Sequence, residues 1–174
     1  MTEPEALCRQ ALDDLNVFRA LLARDQADVP RIAECQALHA LQMAGEKLAK
    51  AVLYAADRNY RASGGERKQS HVALSKLATT LADRAKVASA LGMDLPKFNG
   101  CLKQFHSWFK QFEQLQPQLA GDGPNVEYPW QDGDRWIAPC DHSFGLAARL
   151  RKGEGAQSLR FLGRLAEAVP ALLE

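Results

Sequence analysis

Arg61, Arg67, Lys68 and His71 crowd a short stretch punctuated by Ser63-Gly64-Gly65. Guanidinium groups make planar contacts to oxyanions, and the first N–H groups of a helix point outward without intrahelical partners. A helix opening at Ser70 brings such N–H groups beside the three cations, with His71 as a further donor. These four residues form the expected anion- or nucleotide-binding set, and the glycines let the loop adapt to its ligand. A second group, Cys140-Asp141-His142, contains three residue types that ligate zinc. Cys-x-His without a second ligand pair closes no four-ligand shell, so neither a metal site nor a cofactor is expected. No local context marks an activated thiolate among the cysteines. His39 and His106 fall beside apolar stripes and read as packing or interface residues.

The elements that must carry these residues follow from periodicity and caps. Leu7, Ala11, Leu15, Phe18 and Leu22 step by three and four and define a first helix. Thr2 with Glu5 is a capping-box pattern, and Pro4 suits the first turn. After a break at Asp28-Val29-Pro30, Leu38, Leu41, Gly45, Leu48 and Val52 form the seam of a second helix, with Glu46 and Lys50 as an exposed pair. A third helix is expected from Ser70 to Gly92, with Leu74, Leu77, Leu81, Ala85 and Ala88 as its stripe. Asp94 and Pro96 open a fourth, whose Phe98, Leu102, Phe105, Phe109 and Phe112 make the heaviest aromatic stripe in the chain, with Trp108 beside it. At helical spacing such a stripe is core or interface.

From Pro117 to His142 the helical period disappears. Tyr128-Pro129-Trp130 and Trp136-Ile137 flank Asp132-Gly133, which predicts a small hairpin with an Asp-Gly turn. Its two tryptophans are expected to lie together over one end of the bundle. Leu159, Leu162, Ala166 and Val169 then define the last helix, separated by Gly153 and Gly155 from a short turn around Leu146 and Leu150. The expected architecture is all-α: an up-and-down bundle of four to five helices with an irregular loop or small β-hairpin before the last helix. No internal repeat or long linker divides residues 1–174, so one domain is expected.

Composition narrows the class. With 47% hydrophobic and 25% charged residues, the chain belongs with ordinary globular proteins. An acidic start without basic and apolar regions, and no apolar run of ~20 residues, predict a cytoplasmic protein without a membrane partner. The four cysteines are widely spaced and read as small buried thiols. Charge is uneven: residues 58–110 carry ten Lys/Arg against three Asp/Glu, whereas residues 111–142 carry one against six. Such asymmetry suits an anionic ligand or self-complementarity within a bundle or dimer.

Three pieces in order are similar to the HEPN domain family, whose acronym refers to nucleotide binding in higher eukaryotes and prokaryotes. Ala44-Gly45-Glu46-Lys47-Leu48-Ala49-Lys50-Ala51-Val52-Leu53 resembles its alanine-rich second helix. Ser70-His71-Val72-Ala73-Leu74-Ser75-Lys76-Leu77 resembles the opening of its third helix, and Asn125-Val126-Glu127-Tyr128-Pro129-Trp130 resembles the Tyr-Pro element of one non-catalytic branch. The resemblance implies a four- or five-helix bundle that often dimerises. Its members include ribonucleases of toxin and defence systems and non-catalytic companions of nucleotidyltransferases. It therefore implies a single HEPN-like domain that engages a nucleotide, RNA or a partner protein, for example a nucleotidyltransferase or an antitoxin. The alternative it implies is a metal-independent endoribonuclease acting by 2′-OH attack. That branch carries Arg, four to six residues, then His, with a polar residue directly after the arginine. Arg135 and His142 have the interval, but Trp136 follows the arginine and Pro139 interrupts. No residue set here names a reaction.

Overall fold

Helix α1 (Glu3–Ala23) opens on the cap predicted for it. The Thr2 N–H and hydroxyl both donate to the Glu5 carboxylate, the hydroxyl at 3.0 Å, which holds this exposed carboxyl below its ordinary pKa. The computed structural model describes residues 1–23, 34–56, 77 and 83–173. Its further helices are α2 (Glu34–Ala56), α3 (Arg84–Ala90), α4 (Leu95–Glu113), the single turn α5 (Pro117–Ala120), α6 (Leu146–Leu150) and α7 (Gly153–Leu173). Between α5 and α6 lie strands β1 (Trp130–Asp132) and β2 (Arg135–Ile137), then a 3₁₀ turn at Pro139–Asp141. The fold is all-α, with one small hairpin before the last helices.

Among the described residues helices α1 and α2 form the most extensive pairing, and α7 packs against α1, α2, α3, α4 and α6. Ala11, Leu15 and Phe18 of α1 meet the α2 seam of Leu38, Leu41, Leu48 and Val52 in one core. α2 is buried nearly all round, because Gln42, Gly45, Glu46 and Ala49 lie inside as well. The Glu46–Lys50 pair forms at 2.7 Å as its spacing predicts, but it is largely buried rather than exposed. Lys47 extends the polar tie to Asp14 of α1 at 2.6 Å.

The third stripe departs from its prediction. Leu77 is buried in a helical segment, and the Asp83 side chain accepts the Lys86 N–H and caps the start of α3. Ala85 is consequently exposed, while Val87 and Ala88 face the core. α3 closes in a Schellman motif: Met93 N–H reaches Ala88 C=O at 2.9 Å, Gly92 N–H reaches Ser89 C=O at 2.9 Å, and Gly92 takes φ +60°. Ser70, Leu74 and Leu81 of that predicted helix, like the Asp28-Val29-Pro30 break, lie outside the described residues.

α4 is as its sequence predicts. Asp94 caps the Lys97 N–H at 2.7 Å, and the five stripe residues are at most 2% exposed. Phe105 packs on Phe109 at 4.3 Å between ring centroids and edge-on to Phe161 of α7 at 5.4 Å. The bend from α6 to α7 fixes Gly155 as glycine, since a Cβ there would sit 2.5 Å from the Arg149 carbonyl oxygen.

The hairpin is shifted by one residue from the predicted turn. Asp132 pairs with Arg135, so Gly133 and Asp134 are the central residues. Only glycine takes the positive φ, +60° at Gly133, which matches a turn with Gly in its first central position. The tryptophans separate rather than stack: Trp130 is 5% exposed and Trp136 is 73% exposed. Adjacent residues of a strand face opposite ways, and Trp136 pairs with Gln131, not Trp130.

Candidate functional site

Arg61, Arg67, Lys68 and His71, the predicted anion-binding set, lie outside the described residues. The basic centre they belong to continues into α4, where the structure places a cation-rich cleft. Lys97, Cys101 and Gln104 follow at steps of four and three beside the buried aromatic stripe of α4. Gln157, Arg160, Phe161 and Arg164 follow with similar spacing on α7, and Ser158 sits between them. The two rows line a cleft of about 350 Å³, together with Met93 of the α3–α4 loop.

Each wall is held by something that can be named. Gln104 Nε2 donates to Gln157 Oε1 at 3.1 Å and links the helices across the cleft. Arg164 donates through Nη2 to the Leu91 carbonyl, a helix-end oxygen of α3. Lys86 ties α3 to the far end of α7 by donating to the Leu172 carbonyl at 2.7 Å. Beneath the cleft, Phe98 and Phe161 lie 6.0 Å apart and join α4 to α7.

The electrostatics favour an anion. Among the described residues three cations line the cleft and no carboxylate does. Lys97 and Arg160 enter no ion pair among the described residues. Ser158 is 2% exposed, lines the cleft, and its hydroxyl has no hydrogen-bond partner among the described residues. A buried hydroxyl without a partner costs about 1–3 kcal/mol, which an oxyanion accepting its proton would recover. Lysine, arginine, amide and hydroxyl donors around one small volume match a phosphate group, and the Phe161 face offers apolar contact beside it.

The remaining predicted residues fall on the hairpin and just after the 3₁₀ turn. Arg135 is exposed on β2 opposite Asp132. His142 follows the 3₁₀ turn, its ring edge-on to Trp130 at 5.1 Å and to Phe144 at 4.7 Å. Among the described residues neither side chain enters a hydrogen bond or ion pair, so no bond joins the nominal Arg-His pair. No group of three or more His, Cys, Asp or Glu is placed to hold a metal ion among the described residues. His39 contacts Glu127 at 3.6 Å, tying α2 to the segment before the hairpin.

The prediction of buried thiols holds for two cysteines of four. Cys8 and Cys35 are buried, and burial pushes both thiols up in pKa. Cys101 is half-buried in the cleft and Cys140 is exposed on the 3₁₀ turn. No described helix is long and apolar enough to cross a membrane.

A polar clamp that sequence reasoning missed lies at Glu34. Its carboxylate accepts from the N–H groups of Phe144 at 2.8 Å, Gly145 at 3.2 Å and Ala147 at 2.8 Å. It therefore caps α6 from more than a hundred residues away and pins the chain that follows the hairpin. Comparisons of the chain with protein-family models, with curated proteins and with solved structures found no match.

Proposed function

We propose that this chain is a non-catalytic helical binding module for a nucleotide, which it takes by its phosphates in the α4–α7 cleft. One observation carries the reading: Lys97, Arg160 and Arg164 line one cleft with the unpartnered Ser158 hydroxyl, and among the described residues no carboxylate lines it. The HEPN resemblance agrees with it, through an all-α fold and a family role in nucleotide and RNA engagement. Dimerisation, and service beside a nucleotidyltransferase or antitoxin in a toxin–antitoxin or defence system, are part of the same proposal.

Calorimetric titration with ATP, in EDTA and near physiological salt, tests it. Charge-assisted hydrogen bonds contribute about 1.5–3 kcal/mol each. Lys97→Ala and Arg160→Ala are therefore expected to weaken saturable binding by at least about tenfold apiece. Absence of saturable binding, or unchanged affinity in both variants, defeats the reading. Degradation of RNA in EDTA that disappears in His142→Ala replaces it with the ribonuclease alternative.

A further inference from the structure

A second concavity, of about 680 Å³, runs between α5 and the hairpin. Its materials are the reverse of the first. Tyr128 is 60% exposed and Trp136 73% exposed, and both line it with Pro117, Pro129 and the edge of buried Trp130. Asp122 lies in the wall and forms no ion pair among the described residues. Exposed rings grouped in one concavity mark an interaction surface.

We propose that this groove binds a basic, proline-containing peptide segment of a partner protein. Charge selects the occupant. Among the described residues Asp122 is the charged side chain that lines the groove and no Lys or Arg does, so a phosphodiester chain stacking on Tyr128 and Trp136 meets a carboxylate and no cation. An arginine or lysine is attracted twice, by Asp122 and by the faces of the aromatic rings. Exposed aromatic side chains set beside prolines in an open groove are the surface on which an extended proline-rich segment lies with little loss of entropy.

The groove is preorganised for such a ligand. Asn125 is buried, and its Oδ1 accepts the Glu127 and Tyr128 N–H groups at 3.1 and 2.7 Å, which fixes the backbone that carries Tyr128. Trp130 anchors the hairpin from below against His142 and Phe144, and the Glu34 clamp holds Phe144 in turn. A rigid groove spends little of its binding free energy on ordering itself.

The test is fluorescence titration of the full chain with the synthetic peptide acetyl-Pro-Pro-Arg-Pro-Pro-Arg-amide. Saturable binding that quenches tryptophan emission is expected, together with loss of binding to the same peptide carrying Glu in place of Arg. A cation–π contact is equivalent to between about twofold and about thirtyfold in affinity. Trp136→Ala and Asp122→Asn are each expected to weaken binding within that range, with circular dichroism and thermal midpoint unchanged. Lys97→Ala is expected to leave peptide affinity as it is, which separates this groove from the nucleotide cleft. Equal binding of the acidic peptide, unchanged affinity in both groove variants, or preferred binding of oligouridylate at Trp136 overturns the proposal.

Discussion

The α4–α7 cleft takes its polar side chains from two long helices and is cationic, whereas the hairpin groove draws on turns and short strands and is acidic and aromatic. The first is positioned by the aromatic core beneath it, through Phe98, Phe105 and Phe161. The second is positioned by hydrogen bonds to backbone, through Glu34 and Asn125. Regular helices need only packing to hold a side chain in place, because their own backbone groups are already paired. Irregular chain needs side-chain acceptors to fix it. Damage to the core should therefore be felt first at the cleft, and damage to polar clamps first at the groove.

The largest effect is expected from Phe105→Ala. This side chain is wholly buried between Phe109 and Phe161, and its removal should cost about 3–5 kcal/mol in denaturant unfolding. Nucleotide binding should fall with it. Survival of full affinity would mean that the core does not position the cleft.

Glu34→Ala comes next. It leaves the Phe144, Gly145 and Ala147 N–H groups without their acceptor and should cost about 1–3 kcal/mol. Peptide binding at the groove should weaken while nucleotide binding in the folded protein stays. Equal loss at both places would dissolve the distinction drawn between them.

Ser158→Ala should have the opposite sign in its two readouts. Removing a hydroxyl that has no partner leaves stability within about 0.5 kcal/mol of the parent or raises it, while ATP affinity drops severalfold. A lower thermal midpoint would show that the hydroxyl serves the fold instead.

The thiols give the smallest effect. Cys8 and Cys35 have raised pKa values in the folded state because burial disfavours their thiolates. A raised value means stability is fully present below the ordinary thiol value of about 8.5 and is lost as pH climbs through the folded value. The fall in unfolding midpoint as pH rises above the ordinary thiol value should be shallower in a Cys8→Ala/Cys35→Ala protein. In the native parent, iodoacetamide should reach exposed Cys140 first, then Cys101, with the buried pair last.

Much of the fold could be read from residue patterns, for physical reasons that also explain the errors. α4 was legible because an uninterrupted 3.6-residue stripe and an Asp94–Pro96 start leave one solution. Asp83 does not stand out as a cap, because the alanine-rich sequence on both sides continues a helical pattern across it. The hairpin turn slipped by one because Asp-Gly and Gly-Asp are both good turn pairs, and strand register decides between them. The Glu46–Lys50 spacing alone predicts an exposed pair, because one seam of α2 carries the apolar pattern while α7 and α4 also pack on this helix.

The cleft was not legible as a unit. Lys97 and Arg160 are sixty-three positions apart, and only the α4–α7 packing makes them neighbours. Their rows do carry a weak signal, since 97, 101 and 104 and 157, 160, 161 and 164 each step along one helix face. The predicted set at Arg61, Arg67, Lys68 and His71 belongs to the same basic centre in sequence.

That leaves two places where a nucleotide phosphate could be held, and photo-crosslinking separates them directly. The full chain is irradiated with 8-azido-ATP and the adducts are located by peptide mass spectrometry. The account predicts adducts in the α4 segment around Lys97–Gln104 and the α7 segment around Gln157–Arg164, abolished by excess ATP and by Arg160→Ala. Adducts confined to residues 61–71, or a pattern that Arg160→Ala leaves unchanged, would contradict it.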